Sequence, residues 1–99
     1  MYEILFAEGV TDDLRSLVAS QRTHVLDQIE LQLRHEPTRA TRNRQILRGL
    51  VPPWEHVVPV WELRVGEHRV FYDVDQEKAT VIVRAIRHKP PHQVTEEIL

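Results

Sequence analysis

The chain contains no cysteine, which removes disulfides and thiolate metal centres from consideration and agrees with a reducing cytoplasm. Three glycines among 99 residues form no Gly-rich phosphate loop, and the serines and threonines show no nucleophile motif. No uninterrupted apolar run approaches the roughly 20 residues a membrane helix needs. There is no repeat, no low-complexity tract, and no basic leader or cleavage site before the strand-like Tyr2 to Ala7, so a cytoplasmic protein is expected.

What is present is ordinary in bulk and uneven in detail. An apolar share of 41% with 28% charged residues suits a globular protein, and 99 residues fit one domain spanning 1–99. A net charge of −2 argues against indiscriminate nucleic-acid binding. Yet Arg34, Arg39, Arg42, Arg44 and Arg48 crowd one stretch against the single acid Glu36, while acids gather at Asp12 and Asp13, from Asp73 to Glu77, and at Glu96 and Glu97. This distribution allows a basic patch on a weakly acidic body, or an arginine-rich solvated loop.

Hydrophobic periodicity divides the chain. Tyr2 to Ala7, with Ile4, Leu5 and Phe6, reads as a strand broken at Gly9. Thr11 is the expected N-cap of a short helix to about Ala19, with Asp12 and Asp13 in its first turn. Ser20 is the expected cap of a second helix, with Val25, Leu26, Ile29 and Leu33 on one face, ended by Pro37. An arginine-rich connection from Thr38 to Pro53 holds only the apolar cluster Ile46, Leu47 and Leu50. Strand-like runs follow at Val60 to Val65, His68 to Val74 and Thr80 to His88, joined as antiparallel hairpins through Gly66-Glu67 and through Asp75 to Lys78. A last short helix is expected from Thr95 to Leu99. The fold class is therefore α+β. Its expected form is a small antiparallel sheet, a leading strand plus a three-stranded C-terminal meander, with the two N-terminal helices packed on one face.

Alternation assigns faces. Trp61, Leu63 and Val65 point to the core, as do His68, Val70, Tyr72 and Val74. Glu62 and Arg64, with Arg69, Phe71 and Asp73, take the open face, where the Arg64 and Arg69 guanidiniums could hold an anion. In the last strand Ile82 and Ile86 are expected inward with Arg84 reaching to water, leaving Val83, Ala85, Arg87 and Lys89 on the open face.

The order strand, two helices, a basic link containing Leu47-Arg48-Gly49, then E-L-R-V-G-E-H-R-V-F-Y (Glu62 to Tyr72) and V-I-V-R-A-I-R-H-K (Val81 to Lys89) resembles the RelE/ParE superfamily of toxins from type II toxin–antitoxin pairs. The resemblance covers nearly the whole chain. It implies a cytoplasmic toxin neutralised by a cognate antitoxin, with operator DNA reached only through that complex. RelE-like members cut mRNA in the ribosomal A site, ParE-like members poison DNA gyrase, and the W-E-L-R wording leans towards the HigB-like mRNA cleavers. A degenerate member that mainly binds its antitoxin is the third reading.

On the RNA-cleaving reading, metal-independent attack by the 2′-hydroxyl needs a base, cations at the pentacoordinate phosphate, and an acid for the departing 5′ oxygen. The resemblance puts Arg69 at the phosphate-binding position, where its planar fork suits bidentate contact. It puts Arg64 at the motif's other arginine, Lys89 at the end of the last strand, and His88 as general acid near neutral pH. Strict alternation turns His88 towards the core instead, with His92 the fallback acid. Glu62 and Val60 stand where RelE has lysines, so Glu62 is a candidate base or an ion-pair partner. No tyrosine follows Tyr72, although a catalytic tyrosine often closes the family motif. Arg87, His92, Arg48, Arg44 and Arg42 are candidate RNA contacts. No cofactor is implied, and Pro90 and Pro91 between His88 and His92 exclude a helical metal pair.

Overall fold

The computed structural model describes residues 1–99. Its elements are β1 (Glu3–Phe6), α1 (Val10–Arg15), α2 (Ala19–Leu33), β2 (Arg44–Ile46), β3 (Trp61–Val65), β4 (His68–Asp75), β5 (Thr80–His88) and α3 (Thr95–Ile98). They form an α+β domain whose five strands lie in the order β1-β5-β4-β3-β2. β3, β4 and β5 make the expected antiparallel meander. No helix is long and apolar enough to cross a membrane.

Two features of the sheet differ from the sequence expectation. The leading strand β1 pairs with β5 in parallel, Glu3 opposite Thr80 through Phe6 opposite Val83. A parallel neighbour requires a crossover, here the whole chain from α1 to β4. The arginine-rich connection also contributes β2, antiparallel to β3, with Arg44 opposite Leu63 and Ile46 opposite Trp61. Three residues reading Arg-Gln-Ile carry no alternation, so pairing rather than local pattern makes this strand.

The helix starts also move. α1 begins after Gly9, which adopts φ 95°, a conformation that suits glycine; Thr11 lies inside the helix. α1 ends at Arg15, and Val18 rather than Ser20 precedes α2. Arg22 binds the carbonyls of Leu14 and Leu17 at 3.0 Å each, satisfying the exposed end of α1. Val25, Ile29 and Leu33 on α2 are buried as their spacing predicts. With Val10 and Leu17 they pack on Leu63, Val65, Val70, Tyr72, Val81 and Val83. The Tyr72 hydroxyl donates to the carbonyl of Pro37 at 2.6 Å, and burial pushes its pKa up.

β5 contains a bulge that alternation missed. Phe71 opposes Ala85 and Tyr72 opposes Val83, leaving Arg84 unopposed. One extra residue inverts the facing pattern on either side of it. Val81 and Val83 therefore join Ile86 in the helix-side core, while Ile82 does not, against the expectation of Ile82 inward and Val83 outward. Arg84 does not reach to water. Its Nε and Nη2 donate to Asp73 at 2.8 and 3.2 Å, and only 11% of its side chain is exposed.

The face expected to be open is covered. Phe71 and Ala85 are buried against Ile98 of α3, with Leu47, Trp54 and Leu99 packed around them. α3 starts where the Val94 N–H donates to the Glu97 carboxylate at 2.9 Å. The sheet thus has a helix side and a tail side, and the arginines and acids of β3, β4 and β5 fall on the tail side, while Arg44 of β2 falls on the helix side.

Candidate nucleic-acid interface

Registration across the meander sets Arg64 opposite Arg69 and Arg69 opposite Arg87. Directly opposite residues share a face, and neighbouring strands lie about 4.8 Å apart. Three arginine side chains therefore leave the sheet in a row on the tail side near the Gly66 turn. Like charges placed opposite one another destabilise a sheet, so this row is a cost that packing alone does not explain. Lys89 follows two residues beyond Arg87, its backbone N–H bound to the Glu67 carbonyl at 2.6 Å, which continues the ladder and the alternation.

The members of the row differ in freedom. Arg69 is only 7% exposed. Its Nη1 donates to the carbonyls of Gly66 (2.8 Å) and His68 (2.9 Å), and its Nε lies 3.4 Å from Glu62 Oε1 without a hydrogen-bond partner. Burial lowers its pKa first, the Arg64 charge lowers it further, and Glu62 opposes both. Arg87 Nη1 binds both carboxylate oxygens of Asp13 at 3.0 Å, and its guanidinium sits 5.0 Å from the Trp54 ring centroid, within cation–π range. Asp13 also accepts the Ile86 N–H at 2.9 Å, so α1 closes the part of the β5 edge that β1 leaves uncovered. The ion pairs Arg69–Glu62, Arg84–Asp73 and Arg87–Asp13 leave Arg64 and Lys89 as the cations of this face without a carboxylate. Arg64 is exposed and Lys89 partly so.

The histidines are elsewhere. His88 opposes His68 with ring centroids 5.4 Å apart, and its Nε2 is 3.1 Å from Glu67 Oε2. With His24 and Gln21 of α2 they line a cleft of about 240 Å³ on the helix side. The structure therefore does not bring His88 to the arginine row, although it is exposed rather than buried. His92 is exposed in the turn between β5 and α3.

The other basic candidates divide. Arg44 is buried on the helix side, where its Nη1 binds the Gln32 carbonyl and its Nε finds no partner; a residue so placed anchors α2 and is no RNA contact. Arg42 is exposed. Arg48 is exposed at the rim of a pocket of about 390 Å³, lined also by Ala40, Gln45, Ile46, Leu47, Leu50, Glu62 and Thr95. Glu62, 3% exposed, belongs to that pocket as well as to Arg69. Sequence reasoning missed Asp13, Trp54 and Gln45. Asp13 looked like a helix-dipole acid, and nothing local marked it as the partner of a residue 74 positions away.

A family profile for the ParE toxin of the type II toxin–antitoxin system parDE matches residues 4–89. The chain belongs to the RelE/ParE toxin superfamily. Solved RelE structures share its fold. The toxin in a RelBE complex from Mycobacterium tuberculosis has 24% identity and a TM-score of 0.70, over 89% of this chain and 98% of that one. An archaeal RelE–RelB complex from Pyrococcus horikoshii OT3 gives 20% and 0.69, over 94% and 98%. The isolated E. coli RelE toxin gives 22% and 0.68, over 98% and 94%. No curated protein sequence matches the chain.

Proposed function

We propose that this RelE/ParE-type toxin arrests translation by cutting mRNA on the ribosome, without a metal, and is held inactive by a cognate antitoxin. The observation that carries this reading is the arginine row. Arg64, Arg69 and Arg87 stand opposite one another across three strands, an arrangement that suits the charge of a phosphodiester and of its pentacoordinate transition state. Arg69, fixed by two carbonyls, sets the geometry, and exposed Arg64 makes first contact. Glu62, whose carboxylate lies 3.4 Å from Arg69, takes the 2′ proton, and Lys89 protonates the departing 5′ oxygen. His88 takes no part, because it lies on the opposite face. The antitoxin partner is supported by the RelE–RelB complexes of the same fold.

The test is induced expression with mapping of transcript ends. The native chain should produce cut messages at codons, and Arg64→Ala with Lys89→Ala should lower cleavage roughly 100-fold. Both residues lie outside the ion pairs, so the double variant should keep its stability within about 0.5 kcal/mol. Undiminished cleavage by a folded double variant would refute the assignment. Poisoning of DNA gyrase is the second reading, favoured by the separation of His88 from the row and by the carboxylates on Arg69 and Arg87. A DNA-damage response with intact transcripts identifies it. Harmless overexpression with tight antitoxin binding identifies a degenerate member.

A further inference from the structure

Arg87 is the member of the arginine row whose guanidinium is both held and open. Its Nη1 donates to both carboxylate oxygens of Asp13 at 3.0 Å and to the Ile86 carbonyl at 3.3 Å. The Trp54 ring centroid lies 5.0 Å from the guanidinium carbon and gives the plane a seat. Its Nε and Nη2 bond nothing in the protein, and neither is sealed from water. That free edge is of the kind by which a guanidinium grips a phosphate with paired N–H bonds. The other two arginines lack this combination. Arg69 has its Nε sealed beside Glu62, and Arg64 is exposed with no carboxylate to hold it.

Asp13 belongs to α1, and its Oδ2 also accepts the Ile86 N–H at 2.9 Å. β1 pairs with β5 only as far as Val83, so this carboxylate stands in for a strand neighbour at Ile86. That backbone bond alone ties α1 to the strand, and the bond to Arg87 is a second use of the same group. A negative charge on Arg87 weakens the pull of its guanidinium on an anion, so the ion pair works against phosphate binding unless fixed geometry returns more. An arginine already anchored gives up less rotamer freedom when it binds. We propose that Asp13 is a positioning residue for phosphodiester cleavage, anchoring Nη1 of Arg87 from α1 so that the Nε–Nη2 edge meets the phosphate. This rests on the RNA-cleavage reading and gives it a residue that acts without touching RNA. The opposite assignment, Asp13 as a plug that RNA must displace, fits less well, because the carboxylate occupies Nη1 alone and leaves the gripping edge free.

Asp13→Asn separates the two bonds. The amide oxygen still accepts the Ile86 N–H, while the amide nitrogen, a donor, cannot hold Nη1. Single-turnover cutting on programmed ribosomes should slow roughly 10- to 100-fold, with affinity for the ribosome unchanged. In side-chain NMR the Arg87 Nε–H should be rigid in the native chain and shift with inorganic phosphate; in Asp13→Asn it should become mobile and lose that shift. Arg87→Lys, which has no paired N–H edge, should cut slowly in its own right, and adding Asp13→Asn should slow it no further. Cutting by a folded Asp13→Asn at or above the native rate would overturn the proposal and leave RNA cleavage standing. So would slower cutting with the Arg87 Nε–H still rigid, or a further loss in the Arg87→Lys background, since Asp13 would then act other than through Arg87. If Asp13→Asn does not fold, the native chain decides: a rigid Arg87 Nε–H that shifts with phosphate supports the anchor, and a mobile one removes it. If the native chain cuts no transcript, RNA cleavage falls and the NMR comparison decides alone. Positioning then stands if phosphate moves the Arg87 signal in the native chain and not in the variant, and falls otherwise.

Discussion

On the helix side of the sheet, Leu63, Val65, Val70, Val81, Val83 and Ile86 meet Val10, Val25, Ile29 and Leu33 in one cluster of mainly aliphatic groups. On the tail side, a small patch of Phe71, Ala85 and Ile98 shares its surface with Glu62, Arg69 and Asp73, all buried. The first face is held by area removed from water and tolerates imprecision. The second is held by paired charges, where each partner keeps the other from being a buried unpaired ion. A sheet that sets three carboxylate-paired arginines on one face, against the single Arg44 on the other, is using that face for something other than stability, and the arginine row lies there.

The sharpest way to break the comparison is to remove one charge from the tail side. Asp73 is 1% exposed; it accepts from Arg84 at 2.8 and 3.2 Å and from the Val57 N–H at 3.1 Å. Asp73→Ala strands the Arg84 guanidinium at the bulge and should cost roughly 3–5 kcal/mol, measured by chemical denaturation. A second change, Arg84→Met, should return much of that loss, since replacing both partners is far milder than removing one. If the single and double variants are equally unstable, the pair is not what holds this region.

On the helix side, Ile29→Ala, at a site with no exposed surface, should cost about 2–5 kcal/mol through lost burial and a cavity. Transcript cleavage by the remaining folded protein should be unchanged, because no member of the arginine row touches α2. Ile98→Ala should cost less, about 1–2 kcal/mol, because α3 is four residues long and a chain end can peel away locally without unfolding the sheet. Hydrogen exchange should report it as faster exchange confined to the tail side. Exchange that rises throughout the sheet would show that α3 belongs to the global core.

The helix side was legible in the sequence and the tail side was not, for one physical reason. Period-2 and period-3.6 apolar patterns placed Val25, Ile29, Leu33, Trp61, Leu63 and Val65 inward because each element carries its own signal. Phe71 and Asp73 were read as open because Trp54 and the α3 tail, which cover Phe71, and the Val57 segment, which meets Asp73, carry no periodicity. The Arg84 bulge shifts the register of β5 within a run where Arg84 interrupts one face and Arg87 the other, so alternation offered no clear choice, and Ile82 was placed inward and Val83 outward. β2 exists because β3 offers an edge. In the site, Arg64, Arg69 and Arg87 were brought to one face by parity alone. The separation of His88 from them was foreseen by the same parity, while the involvement of Asp13 depended on how α1 docks.

The smallest expected effect is a pH dependence that belongs to the helix side. His68 is 8% exposed and its pKa is lowered, chiefly by burial and then by the neighbouring His88; Arg69 and His24 push the same way and Glu67 pushes back. The imidazole is therefore neutral in the fold at a pH where the unfolded chain, near 6.5, already takes up a proton. Stability from this group is fully present above pH 6.5. It falls as the pH drops below that value, and it levels off once the depressed folded pKa is passed. Denaturation midpoints should decline across that window in the native chain, and the decline should flatten in His68→Gln. Imidazole NMR is the direct check. A folded-state titration midpoint for His68 at or above 6.5 would mean that water reaches the cleft beside His24 and Glu67, and the contrast between a dry helix side and a charged tail side would not extend to the Gly66 end of the sheet.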